Sequence, residues 1–235
     1  MSGRDELFKQ QFLRDAEQAS SFAARLRARA QLFDRGWGDD PFAPESIDPE
    51  LDRAAAQGTA AALADVGRVL LLAEQFELLE AWLARLPAPE REDREALAVV
   101  GAMVAVRQGD NAAAAAALHG VPLEEAVALH GLALLQVGQP EDAAARLEVL
   151  LAADALDEQG EVRPRYLPEA MPALSLFLTA CATSADRALA RGDRAAAATY
   201  ALAAGDALRR YAQAEAPEGP SREDIAALLD RVAPQ

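Results

Sequence analysis

Cysteine occurs once in this 235-residue chain, at Cys181, so no intramolecular disulfide can form and a disulfide-stapled scaffold is excluded. Cys181 stands among Leu176, Leu178, Ala180 and Ala182, where a buried, unreactive thiol is expected rather than a nucleophile. Lys9 is the only lysine and Asn111 the only asparagine, a bias that fits a GC-rich bacterial genome. Isoleucine appears only as Ile47 and Ile225, and aromatic residues make up 5% of the chain. So few β-branched and aromatic residues argue against a sheet. No stretch approaches the roughly 18 apolar residues of a membrane span. The first ten residues lack the apolar run of a signal peptide, and a cytoplasmic protein is expected.

Catalytic and metal-binding patterns are missing too. His119 and His130 are the only histidines, and neither has a second histidine or cysteine at metal-ligand spacing. No Glu-x-x-His pair and no glycine-rich phosphate loop occurs. The acidic pairs Glu77/Glu80, Glu124/Glu125 and Glu141/Asp142 fall at exposed helical phases or first turns, where they favour the helix dipole. His130 is expected to pack within a hairpin and His119 to cap a helix end. The sequence therefore predicts no enzyme, no metal and no cofactor.

Alanine is what the chain has in excess, with 58 residues. Its helix propensity predicts an all-α fold in which small side chains let helices approach closely. The net charge of −15 is uneven: residues 1–35 hold seven basic and five acidic side chains, leaving −17 on the remainder. Such a field repels phosphate backbones and anionic lipid, so direct nucleic-acid or membrane binding is not expected.

Apolar spacing predicts one long helix over 3–35, with Phe8, Phe12, Ala16, Leu26 and Phe33 on its stripe, and Arg25 and Arg29 sharing another face. Residues 36–47 read as a loop pinned by Trp37 and Phe42, followed by a helix capped at Asp48-Pro49 and pausing near Gly58-Thr59. Helical hairpins follow at 60–73 with 76–86, 90–108 with 111–118, 123–137 with 140–153, and 168–191 with 193–213. Pro87 and Pro89 punctuate the first. The loop 154–167 is unusually long, and Arg163, Arg165 and Tyr166 make it a candidate contact loop. After a 215–220 linker, Ser221 and Asp224 cap a last helix suited to covering the end of the stack. Three regions are expected: 1–47, the hairpins of 48–153, and 154–235.

Gly67 and Gly101 lie 34 residues apart at matching places in their hairpins, and Gly131 follows after a shortened second hairpin. In the third hairpin Gly131, Leu134, Gly138, Pro140, Ala143 and Leu147 resemble the small, large and turn positions of tetratricopeptide repeats. Gly67, Leu70, Phe76 and Leu83 match in the first, where Glu74 replaces the turn glycine. Gly101 and Val104 match in the second. The resemblance implies a TPR-like α–α superhelix whose hairpins bind protein segments without catalysis, as an adaptor, chaperone or assembly subunit. The Lys and Asn of the carboxylate-gripping subtype are absent, and Arg68 and Arg107 are the only basic residues at such places. Arg25, Arg29, Arg68, Arg107, Arg163, Arg165 and Tyr166 are thus the candidate partner-binding residues. The partner would be another protein or peptide, or a second copy of the chain. An alternative from the charge alone is an acidic regulator that occupies a basic, nucleic-acid-binding surface on its target.

Overall fold

The computed structural model describes residues 3–86, 91–212 and 219–233. Among these the chain is all-α, with twelve helices, no strand and one isolated backbone bridge between Val162 and Met171. It divides into two compact units, Met1–Val104 and Ala105–Gln235.

The first unit holds α1 (Gly3–Gln18), α2 (Phe22–Asp34), α3 (Pro44–Gln57), α4 (Ala60–Leu72), α5 (Phe76–Arg85) and most of α6 (Arg91–Arg107). The single helix expected over 3–35 is in fact two. Ser21 takes an extended conformation, and its hydroxyl accepts the Ala24 N–H at 3.2 Å. Serine side chains compete in this way with a continuing backbone ladder, and here the cap wins. The common stripe is lost with it. Ala23 and Leu26 are buried, while Phe8 and Phe33 remain 47% and 42% exposed.

The next helix also starts earlier than expected. It begins at Pro44, so Pro49 lies inside it rather than at its first position. Proline removes one helical hydrogen bond there. Against that, the early start places Ile47 and Leu51 on the buried face, 1% and 0% exposed. Two buried aliphatic side chains outweigh one lost bond. Trp82 of α5 is fully buried and donates its indole N–H to the Leu51 carbonyl at 3.3 Å. The helix break at Gly58 falls where the sequence places it, and the Thr59 hydroxyl caps the next helix. Pro87, Pro89 and most of the expected 215–220 linker lie outside the described residues, as does the side chain of Ala16.

The second unit contains α7 (Asn111–Leu118), α8 (Glu124–Gln136), α9 (Pro140–Ala152), α10 (Ala173–Ala190), α11 (Arg194–Arg210) and α12 (Arg222–Val232). From α8 onward each helix packs on its predecessor, and α10 also reaches back to α8. The fourth hairpin starts at Ala173, because Val162 and Met171 pair first and keep the intervening chain extended. Alanines fill the contact between α10 and α11: Ala185, Ala188, Ala197 and Ala201 are all fully buried. Leu228 and Val232 of α12 cover them, and Ser221 with Asp224 forms the expected capping box.

All four hairpins turn in the same way. The first helix ends on a residue with positive φ: Glu74 (55°), Gly109 (82°), Gly138 (77°) and Gly192 (77°). The following N–H returns to the carbonyl five residues back, from Gln75, Asp110, Gln139 and Asp193 to Leu70, Ala105, Leu134 and Ala188, at 2.8–2.9 Å. Each of those donors then serves as the N-cap of the next helix, with ψ between 56° and 79°. One turn design is used four times.

Candidate interaction sites

A groove of about 480 Å³ opens between α9 and α11 in the second unit. Phe177 of α10, 3% exposed, forms its floor, with Leu151 and Ala152 on one wall and Leu202, Ala203 and Ala207 on the other. Leu202 is 54% exposed, and Val149 on the outer face of α9 is 51% exposed. Glu148 lines the groove with no ion-pair or hydrogen-bond partner among the described residues, and Asp206 is paired with Arg209 of its own helix. Arg210 closes one end, tied to the Leu151 carbonyl and to Asp154. The result is an apolar trough with acidic edges.

In the first unit, α2, α3 and α4 surround a half-enclosed cleft of about 410 Å³. Its apolar lining is Ala23, Ala54, Leu63 and Val66, and its charged lining is Arg25, Glu50, Arg53 and Asp65. Glu50 accepts from Arg29 at 3.3 Å.

The long loop is held from beneath by Glu125. This side chain, expected at an exposed phase or in a first turn, lies in the first turn of α8 and is only 3% exposed. Its carboxylate accepts the backbone N–H groups of Arg165, Tyr166 and Leu167 at 3.0–3.2 Å. Three consecutive amides converging on one carboxylate form an internal anion nest, which satisfies a buried charge without a cation. Tyr166 is itself buried, 8% exposed, under the Arg165 guanidinium at 5.1 Å. Of the three candidate residues in this loop, Arg163 and Arg165 are exposed and Tyr166 is not.

His119 and His130, eleven residues apart, meet edge to face with ring centroids 6.2 Å apart. His119 is the exposed C-cap of α7 and His130 is buried on α8, as the sequence suggested. Arg146 of α9 joins them and donates to the Val121 carbonyl at 2.6 Å. The Nδ1 of His130 and the Nε of Arg146 are buried with no hydrogen-bond partner. Burial first, then the charge of Arg146 and the proximity of His119, hold His130 below the usual imidazole value. Cys181 is 1% exposed, and burial with the nearby Glu148 carboxylate pushes its thiol up to about 12, which leaves it unreactive.

The seven sequence candidates do not form one site. Arg25 and Arg29 sit one turn apart on α2, with Arg25 lining the cleft and Arg29 paired to Glu50. Arg68 is half-buried on α4, its Nε without a partner, and Arg107 is exposed in the last turn of α6. Arg163, Arg165 and Tyr166 share the long loop. The groove was not anticipated, although the outward phase of Leu202 on a helix whose other face is alanine is a readable sign of it. Among the described residues no three His, Cys, Asp or Glu side chains converge as metal ligands, and no helix is long and apolar enough to cross a membrane. A scan against protein-family models, a search of curated proteins and a search of solved structures each found no match to this chain.

Proposed function

We propose that the chain is a non-catalytic protein-interaction module whose hairpins are of the tetratricopeptide-like kind, and that it acts as an adaptor, chaperone or assembly subunit. The groove between α9 and α11 carries this reading. Its floor is apolar, Leu202 stands half out of its wall, and Glu148, unpartnered among the described residues, borders it. Exposed aliphatic side chains beside a concave apolar strip are the surface features of a protein contact. The fourfold turn and the close fit of Gly131 against Leu147 support the repeat assignment. A bound segment would place apolar side chains on Phe177 and Leu151 and a basic side chain beside Glu148.

Affinity capture from the native cell tests this with the full chain and two variants. The wild type is expected to retain a discrete protein that Leu202→Glu loses. Leu72→Glu, at an apolar residue 51% exposed on α4, is expected to keep it. Capture of nothing under gentle conditions, or equal capture by all three, would overturn the reading.

The charge supports a second reading, an acidic regulator covering a basic, nucleic-acid-binding surface. Residues 105–235 alone carry nineteen acidic and eleven basic side chains. That binding would weaken steeply between low and moderate salt, whereas groove-centred apolar binding would not.

A further inference from the structure

From the cleft of the first unit we infer that it binds a zwitterionic small molecule of amino-acid or dipeptide size, with its carboxylate toward Arg53 and its ammonium toward Asp65. Four charged side chains line this cleft, and two of them have partners within the protein. Glu50 is engaged by Arg29, and Arg25 donates to the Ala19 carbonyl at 3.3 Å. Arg53 of α3 and Asp65 of α4 line the same space and carry opposite charges, yet among the described residues neither forms an ion pair. Two opposite charges lining one cleft, neither engaged in an ion pair among the described residues, are complementary to a ligand bearing both charges.

The remaining lining fits the same class of ligand. Ala54, Ala62, Leu63 and Val66 add apolar lining to the same cleft, suited to an aliphatic side chain. The volume of about 410 Å³ is at the small end of ligand pockets. A singly charged ligand would satisfy only one of the two groups and leave the other as it is. A zwitterion satisfies both, and each charge-assisted contact contributes about tenfold in affinity. This site lies wholly within the first unit and does not depend on the groove between α9 and α11.

Titration of the full chain with leucine and with the dipeptide Gly-Leu, followed by amide chemical shifts, tests the inference. Saturable shifts are expected at Ala54, Ala62 and Val66 with one or both zwitterions, and the stronger of the two tells a free amino acid from a peptide end. N-acetyl-leucine, which keeps only the carboxylate, and leucinamide, which keeps only the ammonium, are expected to bind about tenfold more weakly. Arg53→Ala and Asp65→Asn, both at exposed positions, should each weaken the zwitterion by a similar factor. The exchange of both charges, Arg53→Asp with Asp65→Arg, should restore binding in the reversed orientation. Absence of saturable shifts, equal affinity for the singly charged analogues, or binding indifferent to both single variants would overturn it.

Discussion

Leu147 of α9 lies against the backbone of Gly131 on α8, so closely that a Cβ on Gly131 would stand 2.5 Å from Leu147 Cγ. Replacing this glycine by alanine would add helix propensity of about 1 kcal/mol but force two buried helices apart. Gly131→Ala is expected to lower the unfolding free energy by about 1–3 kcal/mol in urea titration. Gly101 occupies the matching sequence position in α6, yet a Cβ there would meet only Leu83 Cδ1 at 3.7 Å, an ordinary contact. Gly101→Ala should be neutral or mildly stabilising. Equal losses for the two variants would show that the contact at Gly131 is not the cause.

Glu74 sits at φ 55° in the turn where the other three hairpins use glycine. A side chain in the left-handed region costs about 1 kcal/mol. Glu74→Gly is therefore expected to raise stability by up to about 1 kcal/mol, and Gly138→Ala to lower it by a similar amount. The comparison is direct because both residues precede the same returning hydrogen bond, Gln75 to Leu70 and Gln139 to Leu134. A stability loss in Glu74→Gly would mean that its side chain contributes more than the backbone strain costs.

The hairpins were legible because each depends on local signals. Glycine or aspartate at a turn, Ser221 at a cap, and apolar spacing of three and four act within a few residues of one another. Their helix bounds accordingly fall close to expectation for α4, α5, α7, α8, α9 and α12. The failures arise where a local preference competes with something else. Apolar spacing continued through Ser20-Ser21, but the Ser21 cap broke the helix. Pro49 looked like a helix start, but burial of Ile47 pulled the start back to Pro44. The candidate sites were least legible, since Arg53 with Asp65, and Leu202 with Phe177, come together only through tertiary packing. The anchoring role of Glu125 was hidden for the same reason: its partners lie 40 to 42 residues downstream.

That carboxylate is the main polar anchor of the long loop. Glu125→Gln keeps the shape but turns an anion that accepts from three amides into a neutral group carrying its own donors. A loss of about 2–3 kcal/mol is expected, from the weakened charge-assisted bonds and the buried amides left short of an acceptor. Hydrogen exchange should accelerate first at Arg165, Tyr166 and Leu167, while the α10–α11 core keeps its protection. Unchanged exchange at these three amides would remove Glu125 as the anchor.

His130 gives the fold a pH dependence whose sign follows from its surroundings. It is buried, with the exposed His119 ring on one side and the Arg146 guanidinium, from α9, among its neighbours. All three conditions disfavour its protonated form and lower its folded-state pKa. In the unfolded chain the imidazole takes its proton near pH 6.5. As pH falls through that value the unfolded state binds a proton that the native state resists, so stability drops until the lowered native pKa is passed. Above about pH 7.5 neither state is protonated and the contribution is flat. Carboxylates elsewhere also titrate in acid, so the measurement is a difference: unfolding free energies of wild type and His130→Gln from pH 8 to pH 5. The wild type is expected to lose stability faster than the variant below about pH 6.5. Parallel curves would mean that His130 reaches solvent and titrates alike in both states.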